Sequence, residues 1–115
     1  MPFDRGDVVL VLSPNSDLRT AKKRPALVVQ RSGLAIGLSQ VIVAMITGNM
    51  ARAGHPSRVT IMRSSLQGRQ MGILTDSVVM TDNLATVLER EIDRRIGQMG
   101  EVRSANAALR HTLAL

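Results

Sequence analysis

Three short segments of the chain pair an apolar run with a polar group that can act at its end. Arg5-Gly6-Asp7 leads into Val8-Val9-Leu10-Val11-Leu12, and Lys23-Arg24-Pro25 leads into Ala26-Leu27-Val28-Val29-Gln30. The third run, Val41-Ile42-Val43-Ala44-Met45-Ile46, finishes on the hydroxyl of Thr47. If these runs are strands of one small barrel, their ends converge on a rim, and Arg24 and Thr47 can meet there. Each group also has an ordinary structural reading: Arg24 as a loop charge, Thr47 as a hydroxyl bonding the backbone, Asp7 as the cap of a turn. Other chemistries are narrowed by what is missing. With no cysteine there is no thiolate nucleophile, no disulfide and no Cys-ligated zinc. His55 and His111 lie far apart without metal-ligand spacing, Gly33 to Gly37 lacks the continuation of a dinucleotide fingerprint, and no serine sits in a nucleophile elbow. Glu89, Glu91 and Asp93 alternate with arginines and read as a solvated face. Any reaction is therefore expected to run on Arg, Lys, Thr, Ser, Asp and Asn, with no metal and no cofactor.

The elements that must hold these groups follow from the apolar pattern. A chain of 115 residues suits one domain over 1–115. Its core has to be Val, Ile, Leu and Met, because Phe3 is the only aromatic residue. Strands are expected at 8–12, 26–30, 41–46 and 58–62, with a further one around Ser77 to Met80. Pro25 suits the first residue of a strand, and the run at 41–46, apolar on both faces, suits a central one. Loops are expected at 13–23, 31–39, 47–56 and 63–71, the last with room for a turn of helix. Residues 86–99 are ambiguous between a helix and a helical turn followed by a strand. Val102, Ala105, Leu109 and Leu113 form one apolar stripe, which predicts a helix over 101–113, with Gly100 as its cap. Five or six short strands and one terminal helix imply a mainly β, small antiparallel barrel with the helix covering one opening.

The charge is uneven. The net +6 comes from ten lysines and arginines against three acids in residues 1–75, and five against six in 76–115. A basic first part on a short domain points to a polyanionic partner, since neutralised phosphates release counterions. The N-terminus carries acids and only a short apolar run, unlike a secretory signal. No stretch reaches the roughly 18 apolar residues of a membrane helix. A cytoplasmic protein with no membrane partner is the expectation.

Taken in order, Arg5-Gly-Asp-Val-Val-Leu-Val11, Lys23-Arg-Pro-Ala-Leu-Val-Val29 and Val43-Ala-Met-Ile-Thr47 resemble the N-terminal half of the PemK/MazF toxins of type II toxin–antitoxin systems. The likeness continues through Pro56 to Thr60 and Gly72 to Val79, with Thr75-Asp76-Ser77, into the terminal helix. It covers nearly the whole chain. The resemblance implies an SH3-like antiparallel β-barrel of the PemK/CcdB type with a C-terminal α-helix. It also implies a homodimer that cuts single-stranded RNA at short sequences without a metal and is held inactive by a cognate antitoxin protein. Arg24 matches the family's catalytic arginine and Thr47 its catalytic threonine. Asp76 corresponds to an acidic position implicated in some members. The histidine that some relatives carry after the first strand has no counterpart in Ser13 to Lys23.

These residue types suit that reaction. The 2′-hydroxyl of RNA is the nucleophile, so the protein need not supply one. A guanidinium presents a planar fork of donors to a phosphate, and a threonine hydroxyl adds a further hydrogen bond to the same oxygens. The products would be a 2′,3′-cyclic phosphate and a 5′-hydroxyl end. Arginine is a poor general base, its pKa lying above about 12, so either Arg24 acts by charge alone or a neighbour such as Asp76 takes the proton. Arg19, Lys22, Lys23, Asn49, Arg52, His55, Arg58, Arg63 and Arg69, in or beside three loops, are expected to line the RNA groove. Two alternatives stand beside this reading. One is a non-catalytic gyrase poison of the CcdB type, which typically carries a Trp near its C-terminus where this chain ends Thr-Leu-Ala-Leu115. The other is a degenerate member that binds RNA without cutting it.

Overall fold

The computed structural model of the chain describes residues 3–14 and 21–115. It contains strands β1 (Asp7–Pro14), β2 (Ala21–Val28), β3 (Gln40–Thr47), β4 (Arg58–Ile61), β5 (Ser77–Leu88) and β6 (Ile92–Gln98), with helices α1 (Leu66–Met71) and α2 (Arg103–Leu113). The six strands form one sheet in the order β4-β5-β3-β2-β1-β6, and every neighbouring pair is antiparallel. The expected mainly β architecture with a terminal helix is present. The sheet rolls into a barrel-like form without closing, because β4 and β6 are its two edges.

β3 lies inside the sheet, as its two-sided apolar run requires. Ala44 and Ile46 join one buried cluster with Val8, Leu27, Ile61, Met71 and Val79. Val41 and Val43 join a second with Val9, Val11, Ala26, Val28, Val87 and Ile92. Successive strand residues point to opposite faces, so one continuous Val/Ile/Ala run feeds both. Phe3 packs against the second cluster. The sequence-based strand at 77–80 is too short. β5 continues to Leu88 through an irregularity where Ala44 pairs with Leu84 but Met45 pairs with Met80. Thr81, Asp82 and Asn83 are thus skipped by β3, and strands bend at such bulges. Asp and Asn are depleted in strands, which is why this stretch reads as an end.

Other boundaries also move. β1 and β2 run on into the expected 13–23 loop, pairing Ser13 with Lys22 and Pro14 with Ala21. Pro25 is inside β2, opposite Leu10, rather than at its start. Pairing with β3 begins only at Ala26, so at Pro25 the strand has one neighbour, the edge-like position where a missing N–H is tolerated. Residues 89–98 resolve the ambiguity as a single 3-10 turn followed by β6. Three consecutive exposed residues of β6, Asp93, Arg94 and Arg95, are charged, a usual protection of an open sheet edge. Gly100 is not the cap of α2. The helix starts after Val102, and the Glu101 carboxylate takes the Arg103 N–H at 2.9 Å.

Two devices fix the chain around this sheet. The Arg5 guanidinium donates to the Val29 carbonyl and to Asn106 Oδ1, tying the end of β2 to α2. The Asp7 carboxylate, 1 % exposed, accepts the Asp4 N–H at 2.8 Å and lies 3.4 Å from Arg95 Nη1. At the open side, α1 is capped by the Ser65 hydroxyl and ended by Gly72 at φ 72°. It lies directly on β6. A Cβ on Gly97 would stand 2.3 Å from the Met71 carbonyl carbon, and one on Gly72 would stand 2.1 Å from the Ile96 carbonyl oxygen. Helix α1 thereby fills the gap that β4 and β6 leave.

Candidate active-site cleft

Arg24 is not at the end of its strand but within it, opposite Val11 of β1. Its meeting with Thr47 nevertheless follows from register. The last β2–β3 pair in this direction is Ala26 with Met45, and two residues further the same register sets Arg24 across from Thr47, where the two strands no longer pair. A cleft of about 270 Å³ opens there, lined by both residues together with Lys22, Lys23 and Gly48. Leu74, Thr75 and Ser77 complete its lining with the apolar Ile46, Ile73 and Ile96. The Thr47 hydroxyl oxygen accepts the Asn49 N–H at 3.1 Å. Its own proton stays available to donate, since a hydroxyl is one donor with two acceptor sites. Arg24 is exposed and forms no ion pair among the described residues. Lys23 reaches Asp93 on β6 at 3.3 Å.

Asp76 lines a second cleft of about 580 Å³, with Met62, Arg63, Ser64 and Arg69. Leu74 and Thr75 belong to both clefts. Of the residues that follow, Asp76 lines only the second cleft and Ser77 only the first. Asp76 Oδ1 accepts the Arg63 N–H at 2.9 Å, and Arg69 Nη1 donates to the Ser64 carbonyl at 3.0 Å.

The remaining expected residues are spread along the segment after Thr47. Asn49 caps a single 3-10 turn through the Ala51 N–H at 3.1 Å. Arg52 is exposed on that turn. Arg58 spends its guanidinium internally, on Asp82 at 2.8 and 3.3 Å and on the Arg52 carbonyl at 3.1 Å. Through these hydrogen bonds the pair holds the Asp82 carboxyl below, and the Arg58 guanidinium above, their ordinary pKa values. His55 lines neither cleft. Its Nδ1 accepts the Ser57 N–H at 3.0 Å, and its ring meets His111 of α2 edge to face at 6.0 Å. Arg19 lies outside the described residues. Among the described residues no group of three or more His, Asp or Glu is placed to hold a metal ion, and no helix is long and apolar enough to cross a membrane.

Gly48, Leu74, Thr75 and Ser77 were not singled out from the sequence as site residues. Gly48 carries a signal only in three dimensions: a Cβ there would lie 3.2 Å from Thr75 Cγ2. Leu74 is an apolar residue left 87 % exposed, which no local pattern announces.

Comparisons with known proteins place the chain in a family. Residues 4–113 match the model of the PemK-like, MazF-like toxins of type II toxin–antitoxin systems, and the chain belongs to that family. It is 33 % identical over 89 residues to the endoribonuclease MazF2 of Mycobacterium bovis and to the endoribonuclease MazF6 of Mycobacterium tuberculosis. In both cases the match spans 76 % of this chain and 74 % of the relative. The fold superimposes with a TM-score of 0.74 on a mycobacterial endoribonuclease solved in complex with its cognate antitoxin. That likeness is at 22 % identity and covers 98 % of this chain and 96 % of the other.

Proposed function

We propose that the protein is the toxin of a type II toxin–antitoxin pair and a sequence-specific endoribonuclease that cleaves single-stranded RNA without a metal. The observation that carries this reading is the cleft in which Arg24 and Thr47 face each other beside Lys22 and Lys23. In the proposed reaction the ribose 2′-hydroxyl attacks the adjacent phosphorus. The bond to the 5′-oxygen of the next nucleotide breaks, leaving a 2′,3′-cyclic phosphate and a 5′-hydroxyl. Arg24 stays protonated and places its donors on the phosphoryl oxygens as charge builds there. Thr47, held by the Asn49 N–H, directs its proton to the same oxygens. The two lysines lead the backbone in. No carboxylate lines this cleft among the described residues, so charge stabilisation and positioning provide the acceleration.

The family membership and a neighbour solved with its cognate antitoxin support an antitoxin protein as partner, and with it a cytoplasmic homodimer as the working form. Purified wild type, Arg24→Ala and Thr47→Ala are tested on a long single-stranded RNA in EDTA, with fragment ends sequenced and dimerisation followed by light scattering. Discrete cuts with 5′-hydroxyl ends from the wild type alone are expected, with all three proteins equally folded. Wild-type-like cutting by either variant removes that residue from the mechanism. No cutting by a folded wild type removes the enzyme reading.

A further inference from the structure

The second cleft is larger than the phosphate site demands, and its chemistry differs. It combines a carboxylate, Asp76, with the arginines Arg63 and Arg69 and two exposed apolar side chains, Met62 at 47 % and Leu74 at 87 %. It is a shallow groove of about 580 Å³, open enough to admit a base from an extended strand. Bases of single-stranded nucleic acid usually stack on aromatic rings. The only aromatic here, Phe3, is packed against the second core cluster. Leu74 and Met62 offer the flat apolar contact instead, and a methionine sulfur adds favourable contact with an aromatic ring. Asp76 is fixed by the Arg63 N–H on one oxygen. Each carboxylate oxygen accepts more than one hydrogen bond, and among the described residues no ion pair engages Asp76. The shared wall of Leu74 and Thr75 makes the two clefts contiguous.

We infer that this cleft is a base-reading subsite next to the scissile phosphate, in which Asp76 accepts hydrogen bonds from the exocyclic amino group of a nucleobase and rejects uracil. The inference rests on the endoribonuclease reading above and gives Asp76 a part in specificity rather than in proton transfer. A carboxylate is an acceptor only. Guanine, cytosine and adenine each present an amino group at the Watson–Crick edge; beside it cytosine and adenine carry a ring-nitrogen acceptor for the arginines, whereas guanine carries an N–H that donates to the same carboxylate. Uracil turns two carbonyls toward the carboxylate, with a single N–H between them. An amide at the same position offers an acceptor and a donor together, which uracil satisfies.

The test is cleavage of a randomised RNA pool by wild type and Asp76→Asn, with the base at every position around the cut counted by sequencing. The expected result is one flanking position where uracil is depleted by about tenfold or more in the wild type, and where Asp76→Asn removes the depletion. The identity of the enriched base distinguishes guanine, cytosine and adenine. Should the variant cut too slowly to be sequenced, binding of a non-cleavable RNA carrying a 2′-deoxy nucleotide at the cut site reads the same preference. The four bases are then varied at the position that the wild type selects. A slower variant whose base profile matches the wild type's, or one that loses affinity equally for all four bases, overturns the inference and leaves the enzyme reading intact. A folded wild type that neither cuts nor binds RNA overturns both.

Discussion

The contact between α1 and β6 sets up a quantitative test with Gly97→Ala. The added Cβ would sit 2.3–2.4 Å from the Met71 carbonyl and the Gln70 oxygen, about 1 Å inside ordinary van der Waals distance. All three atoms are backbone, so no side chain can swing aside, and α1 must lift from the sheet by a comparable amount. Overpacking of this kind costs about 1–3 kcal/mol, and the smaller conformational entropy of alanine in the unfolded chain returns about 0.4–1 kcal/mol. A net loss of about 1–2 kcal/mol corresponds to a melting temperature lower by roughly 4–8 °C at about 2.1 cal/mol/K of unfolding entropy per residue. Since α1 leads directly into Leu74 and Thr75, the same shift moves a wall of the cleft, and misplacement by about 1 Å costs on the order of 10²-fold in rate. Circular dichroism is the suitable melting probe, because the chain has neither Trp nor Tyr. Cleavage rates are compared well below the melt. Gly100→Ala is the control, its nearest atom being the flexible end of Gln70 at 3.5 Å. A Gly97→Ala protein with wild-type melting and wild-type cleavage would refute the packing argument.

Other expectations follow from single contacts. Arg5→Ala removes a charged donor from the Val29 carbonyl and Asn106 and should cost about 1.5–3 kcal/mol, read as a lower melting point and faster amide exchange in α2. Because Arg58 depresses the folded-state pKa of Asp82, the pair stabilises fully above the unfolded value near pH 4 and fades as the pH falls through the folded one. The melting difference between wild type and Asp82→Asn should therefore be constant near neutrality, begin to shrink as the pH drops below about 4, and disappear only below the lowered folded-state value; a difference that does not shrink on acidification would contradict the linkage. If Lys22 and Lys23 each neutralise a phosphate, replacing either by Ala should reduce the slope of log affinity for RNA against log salt by about 0.7, as measured by binding titrations across a salt series.

The parts of the fold that could be read in the sequence are those written as uninterrupted apolar runs. β1 and β3 were legible because Val8–Val11 and Val41–Ile46 are too short and too β-branched for helices. The far half of β5 was hidden by Thr81-Asp82-Asn83, polar residues at a bulge, where Thr81 bonds the Ser57 carbonyl and the Thr112 hydroxyl instead of β3. β6 was hidden by its charges, which mark an edge. Of the site, Arg24 and Thr47 were legible as polar ends of apolar runs, although Arg24 proved to be inside its strand. The second cleft was not legible, since it depends on which way Asp76 points and on an exposed Leu74. Nor could spacing alone show that Arg58 is committed to Asp82.

The order of the strands also bears on how the protein is made. β1 and β2 are neighbours in the chain and pair early, but the other side of β1 waits for β6, joining Asp7 to Gln98. Contacts between such distant residues close late in folding, and chains emerge from synthesis with the N-terminal part first. Helix α1 has its docking strand only once β6 is in place, so the wall of Leu74 and Thr75 is expected to settle only after β6 has been made. Arg24 and Thr47 come from β2 and β3, which precede that wall in the chain. The site thereby depends on strand β6, although β6 contributes only Ile96 to its lining.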